Sequence, residues 1–89
     1  MNSMTEKQEN KKTQLENALF DIDKQIVDLL NQRADLCCDL NRLKEENNEL
    51  IYDPVEELEI QEKLEPLSNY AHMIVTIYPV IQKYGRSLQ

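Results

Sequence analysis

The chain has little of what β-rich folds require. Its 89 residues include a single glycine and three prolines, and tryptophan is absent. Turns draw on glycine and proline, and strands draw on aromatic residues, of which there are only four tyrosines and one phenylalanine. Leucine, glutamate, glutamine and lysine are abundant instead, and they favour helices. The composition therefore predicts a single all-α domain, near the lower size limit for an independent core.

The sequence also lacks any apolar run long enough to cross a membrane, so we expect no membrane partner. Residues 1–14 contain no apolar stretch that could form the centre of a signal peptide. Cys37 and Cys38 are adjacent on a predicted helix, where neighbouring side chains point about 100° apart. We therefore expect reduced thiols rather than a disulfide. These features predict a cytoplasmic protein.

Negative charge dominates the chain. The net charge of −7 argues against nucleic acid and anionic membranes as partners. The acidic residues are concentrated between positions 45 and 65, where Lys63 is the only opposing cation. Two interpretations of this acidic segment stay open: a solvated helix face, and a docking surface for a basic partner.

Residues 13–50 read as one long helix that follows a disordered lead-in over residues 1–12. Neither glycine nor proline interrupts this stretch, and its apolar positions alternate in steps of four and three. These positions form an apolar stripe: Leu15, Leu19, Ile22, Ile26, Leu29, Leu36, Leu40 and Leu43. Such a helix spans roughly 50 Å, which is more than the diameter of so small a globule. We therefore expect a second copy of the chain to cover it, in a homodimer.

The sequence predicts a break from Asn47-Asn48 to Pro54. Two shorter helices follow, which makes three helices per chain over a domain of residues 13–89. Asp53-Pro54-Val55-Glu56 is a helix start, with Asp53 as N-cap and Glu56 completing a capping box. This second helix reaches Leu64 and is stopped by Pro66. A third apolar pattern with helical spacing runs from position 67 to position 88. Pro79 lies inside it, where it should kink or split the helix.

Arg33 and Lys44 are the first candidate site residues. Arg33 occupies a position of the apolar stripe, and Lys44 lies eleven residues later, which is three helical turns and nearly the same face. Cations beside apolar surface are costly unless an anion meets them. Either carboxylates of another helix pair with them, or the two residues bind an anionic ligand.

At these positions the sequence resembles the all-helical (AroQ) class of chorismate mutases. The resemblance runs from about Leu15 to Gln89 and rests on two strings: Ile22-Asp23…Ile26-Val27-Asp28-Leu29-Leu30…Arg33 and Ile51-Tyr52-Asp53-Pro54…Glu57. It implies a fold of three helices per chain, with two chains intertwined around their long first helices.

The resemblance also implies an activity, the isomerisation of chorismate to prephenate in aromatic amino acid biosynthesis (the shikimate pathway). This intramolecular Claisen rearrangement needs no metal and no cofactor. By resemblance, Arg33 binds a substrate carboxylate, and Lys44 donates to the ether oxygen and a carboxylate. Asp53 and Glu57 lie near the substrate hydroxyl, with Glu57 also near the ether oxygen. Gln89 matches a late glutamine that faces the ether oxygen.

Three positions depart from the family pattern. Glu16 and Glu56 stand where the family places arginines, and Gly85 stands where it places a small hydroxyl residue. The two carboxylates would repel a substrate dianion, since a charge pair at ~4 Å is worth ~4 kcal/mol at an effective dielectric near 20. We therefore expect weak activity. Lys11 or Lys12, about one turn before Glu16, is the candidate replacement for the missing cation.

Alternatives stay open at each level. Glu56 is explained by helix capping, Glu57 by a solvated helix face, and Gln89 by a frayed chain end. His72 and the two cysteines do not have a metal-ligand spacing, so we expect no metal site. Besides the mutase, two other functions fit: a non-catalytic homodimer that kept the fold for partner binding or regulation, and a relative that acts on another chorismate-like dianion.

Overall fold

The computed structural model describes residues 5–89, and it is all-helical there. Helix α1 runs from Glu6 to Glu46, α2 from Pro54 to Leu64 and α3 from Met73 to Arg86, with a short 3₁₀ turn at Glu65–Leu67. The predicted all-α fold of three helices with a long first helix is confirmed. Within the described residues, no helix has the length and apolarity needed to cross a membrane. The chain divides into two compact units, Met1–Gln32 and Arg33–Gln89.

A capping box that our sequence analysis missed starts α1. The Thr5 hydroxyl accepts a hydrogen bond from the Gln8 backbone N–H at 3.2 Å, and the Gln8 side chain accepts one from the Thr5 N–H at 3.0 Å. Glu6 and Glu9 add negative charge to the first turn, where the helix dipole favours it. Residues 6–12 are therefore helical where we expected a disordered lead-in, and residues 1–4 of that segment lie outside the described residues.

The end of α1 is a left-handed cap at Asn48, which has φ 57°. The Glu49 N–H donates to the Lys44 carbonyl at 2.8 Å, and the Asn48 N–H donates to the Glu45 carbonyl at 3.1 Å. This pair of bonds is a Schellman motif, and asparagine tolerates the positive φ that it needs. The break that the sequence predicts near Asn47 is confirmed, and it leaves Lys44 in the last turn of α1.

The first unit, residues 5–32 of the described chain, has no core of its own. Every residue in it is exposed, including the apolar stripe positions Leu15, Leu19, Ile22, Ile26 and Leu29, whose exposed fractions range from 48% to 63%. Its ion pairs join neighbouring turns of the helix, as Lys12 with Glu16 at 3.5 Å. Because helices in proteins owe most of their stability to tertiary packing, this apolar face needs a cover.

The second unit contains α2, which begins as the sequence predicts. Asp53 Oδ1 accepts hydrogen bonds from the backbone N–H groups of Val55 at 3.1 Å and Glu56 at 3.2 Å, and Pro54 takes the first helical position. The reciprocal half of the capping box is not formed among the described residues, because the Glu56 carboxylate lies toward Lys44 instead, at 4.0 Å.

Helix α3 continues through Pro79, so the predicted split does not occur. Its Ile74 is the only buried hydrophobic residue in the described part of the chain. Two buried amide side chains connect the helices in addition to this residue. Asn41 on α1 is 5% exposed, and its Nδ2 donates to the carbonyls of Gly85 at 2.9 Å and Leu88 at 3.0 Å.

The second buried amide is Gln82 on α3, which is 4% exposed. Its Nε2 donates to the Glu57 carbonyl on α2 at 2.9 Å, and its Oε1 accepts from the Gln61 side chain at 2.8 Å. Asn41 and Gln82 together join α3 to the other two helical segments of the second unit.

We predict that Asn41→Ala lowers the free energy of unfolding by about 1–3 kcal/mol, because it leaves two buried carbonyls without their donor. Urea unfolding at a fixed protein concentration measures this. The matched control is Asn31→Ala, an exposed position on the same helix with the same change in helix propensity. Equal effects of the two substitutions would contradict a structural role for the Asn41 amide.

Candidate functional site

A pocket in the second unit brings together six charged side chains. It lies between the C-terminal part of α1, the start of α2 and the end of α3. Three cations and three carboxylates line it: Arg33, Lys44, Arg86, Asp53, Glu56 and Glu57. The formal charges of these six groups cancel. The pairing among them therefore decides whether an anionic ligand finds a cation.

Arg33 is the pocket cation that has no carboxylate partner among residues 5–89. Its Nη1 donates to the Ile81 carbonyl at 3.3 Å and to Cys37 Sγ at 3.5 Å, and its guanidinium lies 5.9 Å from the Tyr78 ring centre. No ion pair of Arg33 occurs among the described residues. Among the described residues, Arg33 therefore does not pair with a carboxylate of another helix, which was the structural alternative to ligand binding. A half-buried guanidinium in this state attracts an anion.

Gly85 makes room for this arrangement. A Cβ atom at position 85 would lie 2.7 Å from Arg33 Nη1 and 2.7 Å from Cys37 Sγ. The space that a side chain at this position would use is therefore filled by α1 side chains. The departure of Gly85 from the family pattern thus has a packing consequence, since it lets Arg33 lie against the backbone of α3.

Lys44 is the second cation on α1, and its side chain is only 15% exposed. Its Nζ lies 4.0 Å from Glu56 Oε1, at the outer limit of an ion pair, and the Glu56 side chain is 51% exposed. Pairs of this kind with an exposed partner contribute roughly 0–1 kcal/mol. Lys44 is thus loosely held, and its charge remains available to a ligand.

Arg86 is a pocket residue that our sequence analysis missed. Its Nη1 donates to both Glu57 carboxylate oxygens, at 2.7 and 2.9 Å, and its guanidinium stacks 4.1 Å from the Tyr52 ring centre. Both side chains of the pair are largely buried, 27% exposed for Arg86 and 21% for Glu57. The partners are 29 residues apart in the chain, so no helical spacing could have indicated them.

Comparison with known proteins decides the family. The model of the type II chorismate mutase family matches residues 15–89. The chain belongs to this family. The resemblance stated from the two sequence strings is thereby confirmed. Neither the curated proteins nor the solved structures give a significant match to the chain.

In this chorismate mutase family member, most of the sequence-predicted site residues converge. One pocket is lined by Arg33, Lys44, Asp53, Glu56, Glu57 and Gly85. Gln89 is exposed and does not line the pocket. Glu16 lies in the first unit, where its carboxylate pairs with Lys12, one of the two candidate replacement cations. Among the described residues, no histidine, cysteine, aspartate and glutamate side chains cluster in a way that could hold a metal ion.

The pocket offers electrostatic rather than covalent help to a ligand. Arg33 and Lys44 present charge on the same side of α1, and Asp53 keeps Oδ2 free of hydrogen bonds within the described residues while Oδ1 caps α2. Cations and donors held in place in this way stabilise negative charge on a bound molecule without reorganising.

Gly85→Ala tests the packing around Arg33. Alanine gains about 1 kcal/mol of helix propensity over glycine, but overpacking typically costs about 1–3 kcal/mol. We therefore predict a net loss of stability, measured by urea unfolding. Adding Cys37→Ala removes one of the two close contacts, so the double variant should be more stable than the sum of the single effects. A Gly85→Ala variant more stable than the wild type would contradict the close approach.

Proposed function

We propose that this member of the type II chorismate mutase family binds chorismate in the pocket of the second unit and isomerises it to prephenate. The observation that carries the proposal is the half-buried Arg33 guanidinium, which has no carboxylate partner among the described residues and shares its pocket with Lys44. A cytoplasmic location and a place in aromatic amino acid biosynthesis, both expected from the sequence, belong to this proposal.

The reaction is unimolecular and suits such a pocket. One C–O bond of the enolpyruvyl ether breaks while one C–C bond forms, and no proton or electron leaves the substrate. Binding must hold the dianion in its reactive shape and stabilise the negative charge that develops on the ether oxygen. No metal or cofactor is part of the proposed mechanism.

The geometry of the pocket and the family resemblance support the following roles. Arg33 binds one carboxylate, and Lys44 donates to the ether oxygen from the last turn of α1. Asp53 accepts from the substrate hydroxyl through Oδ2, and Glu57 borders the same pocket. The proposal assigns the ether oxygen to Lys44 rather than to Gln89, because Gln89 is exposed and does not line the pocket.

The proposal includes a homodimer, in which a second copy covers the apolar face of the first unit. That face consists of exposed stripe residues on a helical segment without a core. About half of each side chain remains to be buried, which contributes roughly 1 kcal/mol per residue. The family resemblance supports this choice of partner, since it implies two chains intertwined around their first helices.

A second candidate is the non-catalytic homodimer. The observation that favours it is the charge balance of the pocket: Glu57 already neutralises Arg86, and Glu56 lies near Lys44. In that case the protein's own carboxylates take the place of the ligand's. A relative that acts on another chorismate-like dianion remains a third candidate, because Arg33 and Lys44 would serve it equally.

We predict that the wild type converts chorismate to prephenate and that Lys44→Ala lowers turnover roughly 100-fold or more, because it removes a donor to the developing charge. Its free energy of unfolding should change by less than about 1 kcal/mol, since the Glu56 left behind is half-exposed. The measurements are absorbance of chorismate, chromatography of the product and urea unfolding.

The matched control is Lys63→Ala, an exposed lysine on α2 whose loss should leave turnover unchanged. A folded wild type that leaves chorismate intact would favour the non-catalytic candidate. Consumption of chorismate with a product other than prephenate would favour the third one.

The dimer makes a separate prediction. Ile26→Glu places a charge in the apolar stripe, so it should shift sedimentation equilibrium toward monomer and lower the concentration-dependent unfolding midpoint. Asn17→Glu adds the same charge on the opposite side of α1 and should leave the assembly unchanged. A compact wild-type monomer at micromolar concentration would contradict the homodimer.

A further inference from the structure

Arg86 is held on two sides within the pocket. Its guanidinium is fixed twice, by the Glu57 carboxylate at 2.7 and 2.9 Å and by stacking on Tyr52 at 4.1 Å. Stacking covers a face of the guanidinium plane and leaves its edge, where the N–H donors lie. The side chain is therefore held in one orientation before any ligand arrives.

Most of the N–H donors of Arg86 have no acceptor in the part of the chain that the structure describes. Both hydrogen bonds to Glu57 come from Nη1, and neither Nη2 nor Nε donates to any of the described residues. Nη2 and Nε form the side of the guanidinium fork that matches a carboxylate with two parallel bonds. A carboxylate bound there would leave the contact with Glu57 in place.

The other two cations do not by themselves match the charge of a dianion. Arg33 donates through Nη1 to the Ile81 carbonyl and Cys37 Sγ and is the proposed partner of one carboxylate, and Lys44 is a single point charge with Glu56 4.0 Å away. A dianion carries two carboxylates. With Arg33 and Lys44 as its only cations, the pocket lining would be net negative, because three carboxylates also line it. The third cation brings the lining to neutrality.

We infer that Arg86 is a ligand-binding residue of this pocket, which holds a carboxylate of the anionic substrate through Nη2 and Nε while Nη1 stays on Glu57. The inference rests on the proposed function, because it takes its ligand to be a chorismate-type dianion. Glu57 then acts as the positioning residue for Arg86.

The test compares Arg86→Met with Lys83→Met, which removes the same charge less than one turn away on the same helix, at an exposed position that does not line this pocket. The dissociation constant of chorismate is measured by calorimetry, and KM and kcat are measured by prephenate formation. Arg86→Met should weaken binding and raise KM roughly 10- to 100-fold, as expected for the loss of charge-assisted hydrogen bonds. Lys83→Met should change both less than about 2-fold, because an exposed charge outside the pocket is well screened.

Circular dichroism shows whether Arg86→Met is folded. If it is not, a second variant still tests the role of Arg86. Arg86→Lys keeps the charge but loses the planar pair of donors, so it should still weaken binding several-fold. Binding by Arg86→Lys equal to that of the wild type would overturn the two-donor contact.

A cation installed elsewhere in the pocket gives the sharpest comparison. Glu56 lines the same pocket as Arg86, so in a Glu56→Arg background the loss caused by Arg86→Met should shrink several-fold, because two cations then compete for one ligand charge. If Arg86 has only a structural role, Arg86→Met should weaken chorismate binding by the same factor in the wild-type and Glu56→Arg backgrounds.

The outcomes distinguish a failure of the Arg86 role from a failure of the proposed function. If the wild type binds chorismate and Arg86→Met behaves like Lys83→Met, the role of Arg86 is overturned and the proposed function stands. If the wild type binds chorismate without turnover, the mutase activity is overturned and the dissociation constants still decide on Arg86. If the wild type does not bind chorismate at millimolar concentration, both fall.

Discussion

The hydrogen bonds of two buried amides hold the second unit together. Asn41 fixes the end of α3 to α1, and Gln82 fixes the middle of α3 to α2. Within the described chain, Ile74 is the only buried hydrophobic residue. Hydrogen bonds are directional, whereas apolar contacts tolerate sliding. The two amides therefore set the register in which Gly85 and Arg86 meet the pocket.

This register determines the electrostatics of the site. Because α3 is held close to α1 at Gly85, the Arg33 guanidinium lies against α3 backbone and finds a carbonyl rather than a carboxylate. Because the next residue is Arg86, the Glu57 carboxylate has a cation of its own. The family's substrate is a dianion, and here it would meet a pocket whose acids and bases are matched. Affinity then depends on which cations can serve a ligand without abandoning their present partners.

The exposed half of α1 poses the complementary constraint. A helical segment in which every described residue is exposed cannot be stabilised by its own chain, and local ion pairs such as Lys12–Glu16 contribute only tenths of a kilocalorie per mole. The need for a cover could already be inferred from the sequence, because the positions of the apolar stripe can be read there. In the proposed homodimer, a second copy of the chain covers this segment.

Local rules account for what could be predicted of the fold. The long first helix, the break near Asn47 and the Asp53 cap of α2 follow from periodicity and from side chains that contact backbone within a few residues. The start of α1 was open to the same reasoning, since Thr5 and Gln8 have capping-box spacing, but the polar composition of the segment suggested disorder. The expected return bond from Glu56 is not formed among the described residues, where the Glu56 carboxylate lies 4.0 Å from Nζ of Lys44, a residue on another helix.

The sequence by itself determined the helices, the apolar stripe and, through the family resemblance, which residues to examine: Arg33, Lys44, Asp53, Glu56, Glu57 and Gly85. Only the tertiary structure decided how these residues are paired. Arg86 joins Glu57 across 29 residues, and Asn41 reaches Gly85 across 44. The physical reason is that helical spacing fixes neighbours within about four residues, whereas the partner across a helix contact depends on how the helices cross and at what register.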